Sequence, residues 1–113
     1  MSGWIGVDLD GTLAEYHGWI AGGGIGKPIP KMVERVKQWL AEGKQVKIFT
    51  ARAALAGTAE GESIMLQIDD WCQEHIGQLL GITCVKDMQM IELWDDRAVQ
   101  VIPNTGERAD GKE

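Results

Sequence analysis

The chain has 113 residues, of which 44% are apolar and 25% charged, a composition typical of one small globular domain. Its net charge of −6 at pH 7 argues against extended contact with nucleic-acid backbones, because proteins that bind them usually carry a basic surplus. No apolar stretch approaches the roughly 20 residues that span a bilayer. The first residues lack the features of a signal peptide, so we expect no membrane contact and a cytoplasmic location.

The start of the chain predicts a buried strand followed by a flap. Residues 4–7 are apolar, and the run stops at two carboxylates, Asp8 and Asp10. Burying an ionised carboxylate is costly unless it is paired or bound to a metal, so this pair suggests chemistry. Residues 12–30 are rich in glycine, and we interpret them as a flap or short hairpin beside the mouth of the strand. His17 and Trp19 within this flap could touch substrate, but we favour an ordinary exposed loop for both.

The rest of the chain alternates between helices and strands. Apolar side chains at helical spacing predict a helix over 30–42, ended by Gly43, and a long helix whose apolar stripe runs from Ile64 to Leu80. This alternation implies a parallel sheet with right-handed crossovers, hence an α/β fold with a mainly parallel five-stranded sheet. One domain covers residues 1–103, and 104–113 form a polar, flexible tail. The predicted strands after the first are 45–49, 82–85, 91–94 and 98–102, and 53–61 is predicted to be a loop.

The two cysteines, Cys72 and Cys84, are predicted to be small buried side chains. Neither belongs to a C-x-x-C pair or to a cluster of cysteine and histidine at metal-binding spacing. We therefore expect neither a metal ligand nor a disulfide from them.

Polar side chains follow four successive strands of the predicted sheet. Because the carboxyl ends of parallel strands meet at one edge, these side chains should lie together, where ligands of α/β sheets bind. One charged residue after a strand would be unremarkable, but four such ends are hard to assign to chance. The residues are Asp8 and Asp10 after the first strand, Thr50 and Arg52 after the second, Lys86 after the third, and Asp95 and Asp96 after the fourth.

These residue types suit a phosphoryl group held with a divalent cation. Carboxylates gathered at one edge repel each other unless a hard cation binds them, and Mg²⁺ prefers oxygen ligands. Asp8 and one of Asp95 or Asp96 can supply carboxylate oxygens. Lys86 and Arg52 would complete a positively charged cradle for phosphoryl transfer, which needs mainly positioning and charge neutralisation.

The same residues resemble the motifs of a known family. The segment Asp8-Leu-Asp-Gly-Thr-Leu13 is similar to the first motif of the haloacid dehalogenase (HAD) superfamily. Thr50, Lys86 and the Asp95-Asp96 pair resemble its second, third and fourth motifs, in the same order. The resemblance covers residues 4 to about 102 and implies a three-layer Rossmannoid fold.

The resemblance implies a phosphatase mechanism. Asp8 would be the nucleophile and a Mg²⁺ ligand, and Asp10 the general acid and base, with its backbone carbonyl on the metal. An aspartate at position 10 indicates phosphatases rather than dehalogenases, which lack it. Thr50 would bind the phosphoryl group by a hydrogen bond, and Lys86 would hold nucleophile and phosphate. Asp95 and Asp96 would also hold the metal, one of them through a water molecule.

Other residues at the site carry less specific assignments. The Thr-Ala-Arg stretch that ends at Arg52 is similar to Ser-Gly-Arg in polynucleotide 3′-phosphatase domains, so Arg52 is a candidate phosphate ligand. A surface salt bridge is the alternative for it. We also assign Gly11 and Thr12 to substrate binding. Taken alone, Thr50 could be a helix cap, Lys86 could be a solvated loop lysine, and one of Asp95 and Asp96 could simply pair with Arg97.

The short gaps between motifs leave no room for the cap domain of larger family members. An open site suits nucleotides, nucleic-acid 3′ ends or phosphoproteins, and it equally suits small sugar or metabolite phosphates if a neighbouring subunit covers it. The acidic net charge favours small metabolites, and the Thr-Ala-Arg stretch favours nucleic-acid ends. The alternative from another class is a phosphate- or metal-binding module without turnover.

Overall fold

The protein folds around one parallel sheet. Its structure is a computed structural model that describes residues 3–19 and 24–112. The predicted α/β class and the parallel pairing are confirmed, with the sheet order β3-β2-β1-β4. The elements are β1 (Trp4–Asp8), α1 (Pro30–Ala41), β2 (Gln45–Phe49), a 3₁₀ helix (Ala51–Leu55), α2 (Ala59–His75), β3 (Gly81–Thr83) and β4 (Met90–Trp94).

Strand β1 is the centre of the sheet because its side chains are apolar on both faces. Trp4, Ile5 and Val7 are each at most 5% exposed, as expected of a strand in a parallel sheet. Parallel pairing on both sides aligns β1 with β2 and β4, so that the three strands end at the same edge. Asp8, the last residue of β1, is thereby brought to this edge.

Both helices cover the same face of the sheet. The chain moves from β1 to β2 to β3 in one direction, and right-handed crossovers then place α1 and α2 on one side. The main core forms there, joining Val7 and Ile48 of the sheet to Val36 of α1 and Ile68 of α2. Each of these four side chains is fully buried.

The predicted third layer is absent from the described part of the chain. On the face away from the helices, the Trp4 ring stacks on Phe49, with centroids 6.4 Å apart, and the Lys47 ammonium lies 4.6 Å from the Trp4 ring. The link from β3 to β4, residues 84–89, is too short for a helix that could cover this face. Asp87 in that link instead accepts a hydrogen bond from Trp4 Nε1 at 3.0 Å.

The prediction of a fifth sheet strand is wrong for the described residues. Residues 98–102 do not join the sheet, and their only ladder contact is an isolated bridge between Val101 and Arg108. The chain folds back on itself there, with the Ile102 amide donating to the Glu107 carbonyl at 2.9 Å. The apolar side chains of this stretch are about half exposed, so their composition reflects local pairing and not a place in the core.

Helix α2 is displaced toward the N-terminus relative to its prediction. It begins at Ala59 because the Thr58 side chain caps it, accepting the Gly61 amide at 2.9 Å. It ends at His75 because Gly77 adopts a left-handed conformation (φ 98°) and its amide donates to the Cys72 carbonyl. Of the helices in the described ranges, none is long and apolar enough to cross a membrane.

The prediction of a buried side chain is confirmed for Cys72 and wrong for Cys84. Cys72 on α2 is buried, and burial raises the pKa of its thiol to about 11, so it behaves as an apolar core residue. Cys84 is exposed because β3 ends one residue before it, which corrects the prediction of a buried strand position. Both thiols are free.

Replacing Gly61 with alanine should destabilise the fold although alanine is the better helix former. A Cβ at position 61 would collide with the Leu55 backbone carbonyl, which cannot move without disturbing the 3₁₀ helix. We expect Gly61→Ala to lower the free energy of unfolding by about 1–3 kcal/mol in denaturant titrations. Ser63→Ala, on an exposed position of the same helix, is the control and should change little. An unchanged midpoint for Gly61→Ala would contradict the close packing.

Candidate functional site

A cavity of about 690 Å³ opens at the edge where β1, β2 and β4 end. Its size falls in the range of roughly 300–1,000 Å³ that is usual for small-molecule sites. Six of the predicted site residues line it: Asp8, Asp10, Thr50, Arg52, Asp95 and Asp96. Three of the four predicted strand ends, those of β1, β2 and β4, therefore converge here, and the end that carries Lys86 does not.

Three of these side chains form an acidic triad. One carboxylate oxygen from each of Asp8, Asp95 and Asp96 lies within 4.8 Å of the other two. Burial, followed by a hydrogen bond with Asp96 and repulsion from neighbouring carboxylates, raises the pKa of Asp8 to about 7. Three hard oxygen donors that repel one another fit a cation such as Mg²⁺, which would relieve this repulsion.

The turn after β1 holds the triad together. The Leu9 carbonyl accepts the amides of Leu13 and Ala14 at 3.0 and 2.8 Å, which folds the chain back and places Thr12 beside the acidic residues. The Thr12 hydroxyl accepts the Asp96 amide at 2.9 Å and lies 3.1 Å from Asp96 Oδ1 and 3.4 Å from Asp8 Oδ2. Thr12, predicted to bind substrate, is thus engaged with Asp96.

Gly11 is required at its position by Asp96. Its φ is 94°, a left-handed conformation that disfavours other residues, and a Cβ there would lie 2.6 Å from a carboxylate oxygen of Asp96. The missing side chain makes room for the triad. Its predicted contact with substrate is not tested by this geometry.

Asp10 is paired with Arg52 and its side chain lies outside the triad. The guanidinium binds both carboxylate oxygens, Nε to Oδ2 at 2.7 Å and Nη2 to Oδ1 at 2.8 Å. The predicted alternative for Arg52, a salt bridge, is therefore present, but it lies within the site and not on the open surface, since the Arg52 side chain is 4% exposed and that of Asp10 20%. The same guanidinium donates to the Gly24 carbonyl at 3.2 Å and lies 4.9 Å from the Trp19 ring.

Thr50 positions Arg52. Its hydroxyl caps the 3₁₀ helix by accepting the Arg52 amide at 3.2 Å, and its own amide donates to the Thr83 carbonyl at 2.9 Å. It is 2% exposed and also lines the cavity. The helix-cap alternative for Thr50 is therefore confirmed, and its predicted phosphate contact remains a prediction.

The cavity is lined by Arg97 and not by Lys86, which was the predicted site residue. Lys86 lies three residues after β3, is exposed, and is not among the described residues that line the cavity. Arg97 lines it, although sequence analysis considered it only as a partner for Asp95 or Asp96. Its amide, and not its guanidinium, bonds Asp95 Oδ1, at 2.7 Å. Its position next to the acidic pair was the signal that could have identified it.

The flap borders the site, as predicted, and it also supplies two aromatic residues to the cavity, of which the sequence analysis considered only Trp19. Its two arms pair through a bridge between Ala14 and Pro28, and the Trp71 indole anchors it by donating to the Gly26 carbonyl at 2.9 Å. Tyr16 and Trp19 on the flap line the cavity. Residues 20–23 of the predicted flap lie outside the described residues.

Comparison with known proteins supports the fold alone. The chain matches no protein-family model and no curated protein. It is similar to a solved structure of a conserved protein from Bacteroides thetaiotaomicron, with a TM-score of 0.59 and 21% identity over 92% of this chain and 84% of that one. At this identity the likeness indicates a shared arrangement of the backbone.

Removing the charge of Asp8 should stabilise the metal-free protein. The raised pKa means that folded Asp8 holds a proton that the unfolded chain releases near pH 3.8, so its contribution to stability falls as the pH rises from about 4 to 7. In EDTA, Asp8→Asn should therefore be more stable than wild type at pH 7.5, by about 1 kcal/mol after allowing for solvent screening. The two proteins should converge near pH 4 in thermal melts.

Adding Mg²⁺ provides the opposite control. A cation bound to the triad would stabilise the wild type more than Asp8→Asn. The stability advantage of Asp8→Asn over wild type should therefore shrink or reverse in Mg²⁺. Equal stability of the two proteins in EDTA at every pH would contradict the repulsion described above.

Proposed function

We propose that the chain is a small HAD-type, Mg²⁺-dependent phosphohydrolase that acts on a phosphate monoester. The observation that carries the proposal is the acidic triad of Asp8, Asp95 and Asp96 at the floor of a cavity on the carboxyl edge of the sheet. The order of the motifs along the chain and the turn after β1 support placing the fold with Rossmannoid HAD-like domains, reduced to four strands and one helical layer.

In the proposed reaction, Asp8 attacks the phosphorus atom of the substrate. A carboxylate oxygen of Asp8 forms a new O–P bond as the bond from phosphorus to the ester oxygen breaks. The leaving alkoxide takes a proton from Asp10. Water then attacks the phosphorus of the aspartyl phosphate, gives its proton to Asp10, and releases inorganic phosphate with Asp8 restored.

The bound metal ion would neutralise charge on the phosphoryl oxygens and on the nucleophile. Asp8, Asp95 and Asp96 would hold it with their carboxylates, and Thr12 fixes the orientation of Asp96. The backbone carbonyl of Asp10 remains the candidate for a further ligand.

The proton role of Asp10 requires its pair with Arg52 to open. Both oxygens of Asp10 accept from the guanidinium, so neither points freely at a leaving group. An incoming phosphoryl group offers Arg52 a competing bidentate acceptor. In this proposal the substrate takes over Arg52, and the Asp10 carboxylate that is released takes up a proton from solvent before it gives one to the leaving oxygen.

The triad and the open cavity are compatible with nucleotides, nucleic-acid ends and small sugar or metabolite phosphates as substrates. The described residues form no domain-sized lid, and the flap lines part of the cavity with Tyr16 and Trp19. A second subunit could cover the open side.

The second candidate is a phosphate- or metal-binding module without turnover. The closed Asp10–Arg52 pair favours it, because a permanently paired Asp10 could not move protons. Turnover distinguishes the two candidates.

Hydrolysis of an aryl phosphate should require Mg²⁺ and both aspartates. We expect Asp8→Asn to lower kcat by at least about 1,000-fold, since no nucleophile remains, and Asp10→Asn to lower it by about 100-fold or more. Asp70→Asn, on the exposed side of α2, is the matched control and should keep wild-type activity. Turnover unaffected by Asp8→Asn would exclude the nucleophile. Binding of Mg²⁺ without turnover of any ester in a broad panel would favour the binding module.

Arg97 should contribute more to phosphate binding than Lys86. Arg97 borders the cavity beside the triad, whereas Lys86 is exposed beyond its rim. We expect Arg97→Ala to raise KM for an aryl phosphate about tenfold, the scale of one charged hydrogen bond, and Lys86→Ala to raise it less than threefold. A larger effect of Lys86→Ala would show that Lys86 turns toward the site when substrate binds, as the family resemblance implies.

A further inference from the structure

The cavity has two chemically different walls. One is acidic and metal-binding in character, formed by the ends of β1 and β4. The other, here called the aromatic wall, consists of apolar and aromatic side chains. Its members are Tyr16, Trp19, Phe49, Ala54, Leu55 and Cys84.

We propose that this aromatic wall binds the planar base of a mononucleotide whose phosphate lies at the triad. This deepens the proposed function and rests on it for the placement of the phosphate. The comparisons assign no ligand to Tyr16 or Trp19, and the sequence alone indicated no ligand class for either.

The exposure of the two flap aromatics supports a stacking role. Tyr16 is 47% exposed and Trp19 53% exposed, so each leaves a large ring surface in contact with solvent within one cavity. An isolated exposed aromatic is ordinary, but two that border the same cavity form a surface to which a flat ring can bind. Stacking of a base on such a side chain is worth about tenfold or more in affinity.

The anchoring of the flap keeps these rings in position. The Arg52 guanidinium lies 4.9 Å from the Trp19 ring, and the Trp71 indole holds the base of the flap through the Gly26 carbonyl. Gly26 itself packs against Glu15, where a Cβ would collide with the backbone carbonyl. The rings are therefore carried by a segment that is fixed to both the second strand end and α2.

The wall is poorly suited to a sugar phosphate without a base. A sugar ring presents hydroxyl groups, which need hydrogen-bonding partners when they leave water. Apart from the Tyr16 hydroxyl and the Cys84 thiol, the side chains of this wall are hydrocarbon or aromatic. The indole of Trp19 offers one N–H donor.

Size and charge favour a mononucleotide over a nucleic-acid end. A cavity of about 690 Å³ has the dimensions of a small-molecule site. The net charge of −6 gives no electrostatic support for tracking a longer phosphate backbone.

Equilibrium binding tests the proposal without requiring turnover. The Asp8→Asn variant in Mg²⁺ would be titrated by calorimetry with adenosine 5′-monophosphate, uridine 5′-monophosphate and ribose 5-phosphate. We expect the nucleotides to bind about tenfold more tightly than ribose 5-phosphate. Adding Trp19→Ala should remove this advantage and leave ribose 5-phosphate within about twofold, and Tyr16→Ala should remove part of it.

Leu79→Ala is the control, because Leu79 is 56% exposed but lies outside the residues that line the cavity. It should alter no affinity. Equal affinity for nucleotides and ribose 5-phosphate would overturn the proposal, as would an equal loss for both ligands in Trp19→Ala, since that loss would act through Arg52 and the phosphate. Tighter binding of a 3′-phosphorylated oligonucleotide by more than tenfold would overturn the assignment to a mononucleotide.

Turnover of ribose 5-phosphate and of both nucleotides by the wild type separates this proposal from the proposed function. Hydrolysis of all three at similar kcat/KM would retain the phosphohydrolase and reject the base site. Nucleotide binding that depends on Trp19, with no hydrolysis of any ester, would retain the base site and reject the phosphohydrolase.

Discussion

Repulsion among three carboxylates is the constraint on which the site depends. Asp8 ends a strand that is buried on both faces, so it cannot move away from Asp95 and Asp96 without disturbing the centre of the sheet. The Thr12 hydroxyl limits the cost, because it lies 3.1 Å from Asp96 Oδ1 and 3.4 Å from Asp8 Oδ2 and can donate a hydrogen bond to one of them, and the glycine at position 11 leaves space for the Asp96 carboxylate. What remains of the cost favours binding of a cation.

The Asp10–Arg52 ion pair lies at the same site as the acidic triad, and its two charges balance each other. Arg52 takes both oxygens of Asp10 and also binds the Gly24 carbonyl, so one buried guanidinium connects the end of β1 to the flap. Since a buried arginine without its carboxylate would be costly, the pair and the flap stabilise each other. Asp8 and Asp10, which one residue separates, therefore have different surroundings: Asp8 lies among carboxylates, and Asp10 is paired with Arg52.

Much of the site followed from the sequence because strand ends are local features. The short apolar runs before Asp8, Thr50 and Asp95 located the carboxyl edge, and parallel pairing did the rest. The absence of Lys86 from the cavity could not be predicted from the apolar runs alone. It depends on β3 ending at Thr83, which strand pairing decides and side-chain pattern does not.

The fold was predictable where burial creates periodicity and less so elsewhere. Strand β1, helix α1 and strand β2 were predicted closely. The stripe of α2 continued in sequence as far as Leu80, which is buried, although the helix itself ends at His75 because Gly77 turns the chain. Residues 98–102 have the composition of a strand, but their backbone pairs with a local turn, a choice that depends on which partner edge lies nearby.

Trp4 has a consequence for how so short a chain can support a site. On the face of the sheet away from the helices, its single indole ring contacts Phe49 and Lys47 and bonds Asp87, so it joins β1, β2 and the link to β4. In a larger α/β domain a whole helix would do this, at the expense of a dozen or so further residues. On this face, one side chain thus makes the contacts between strands that a covering helix would make in a larger domain.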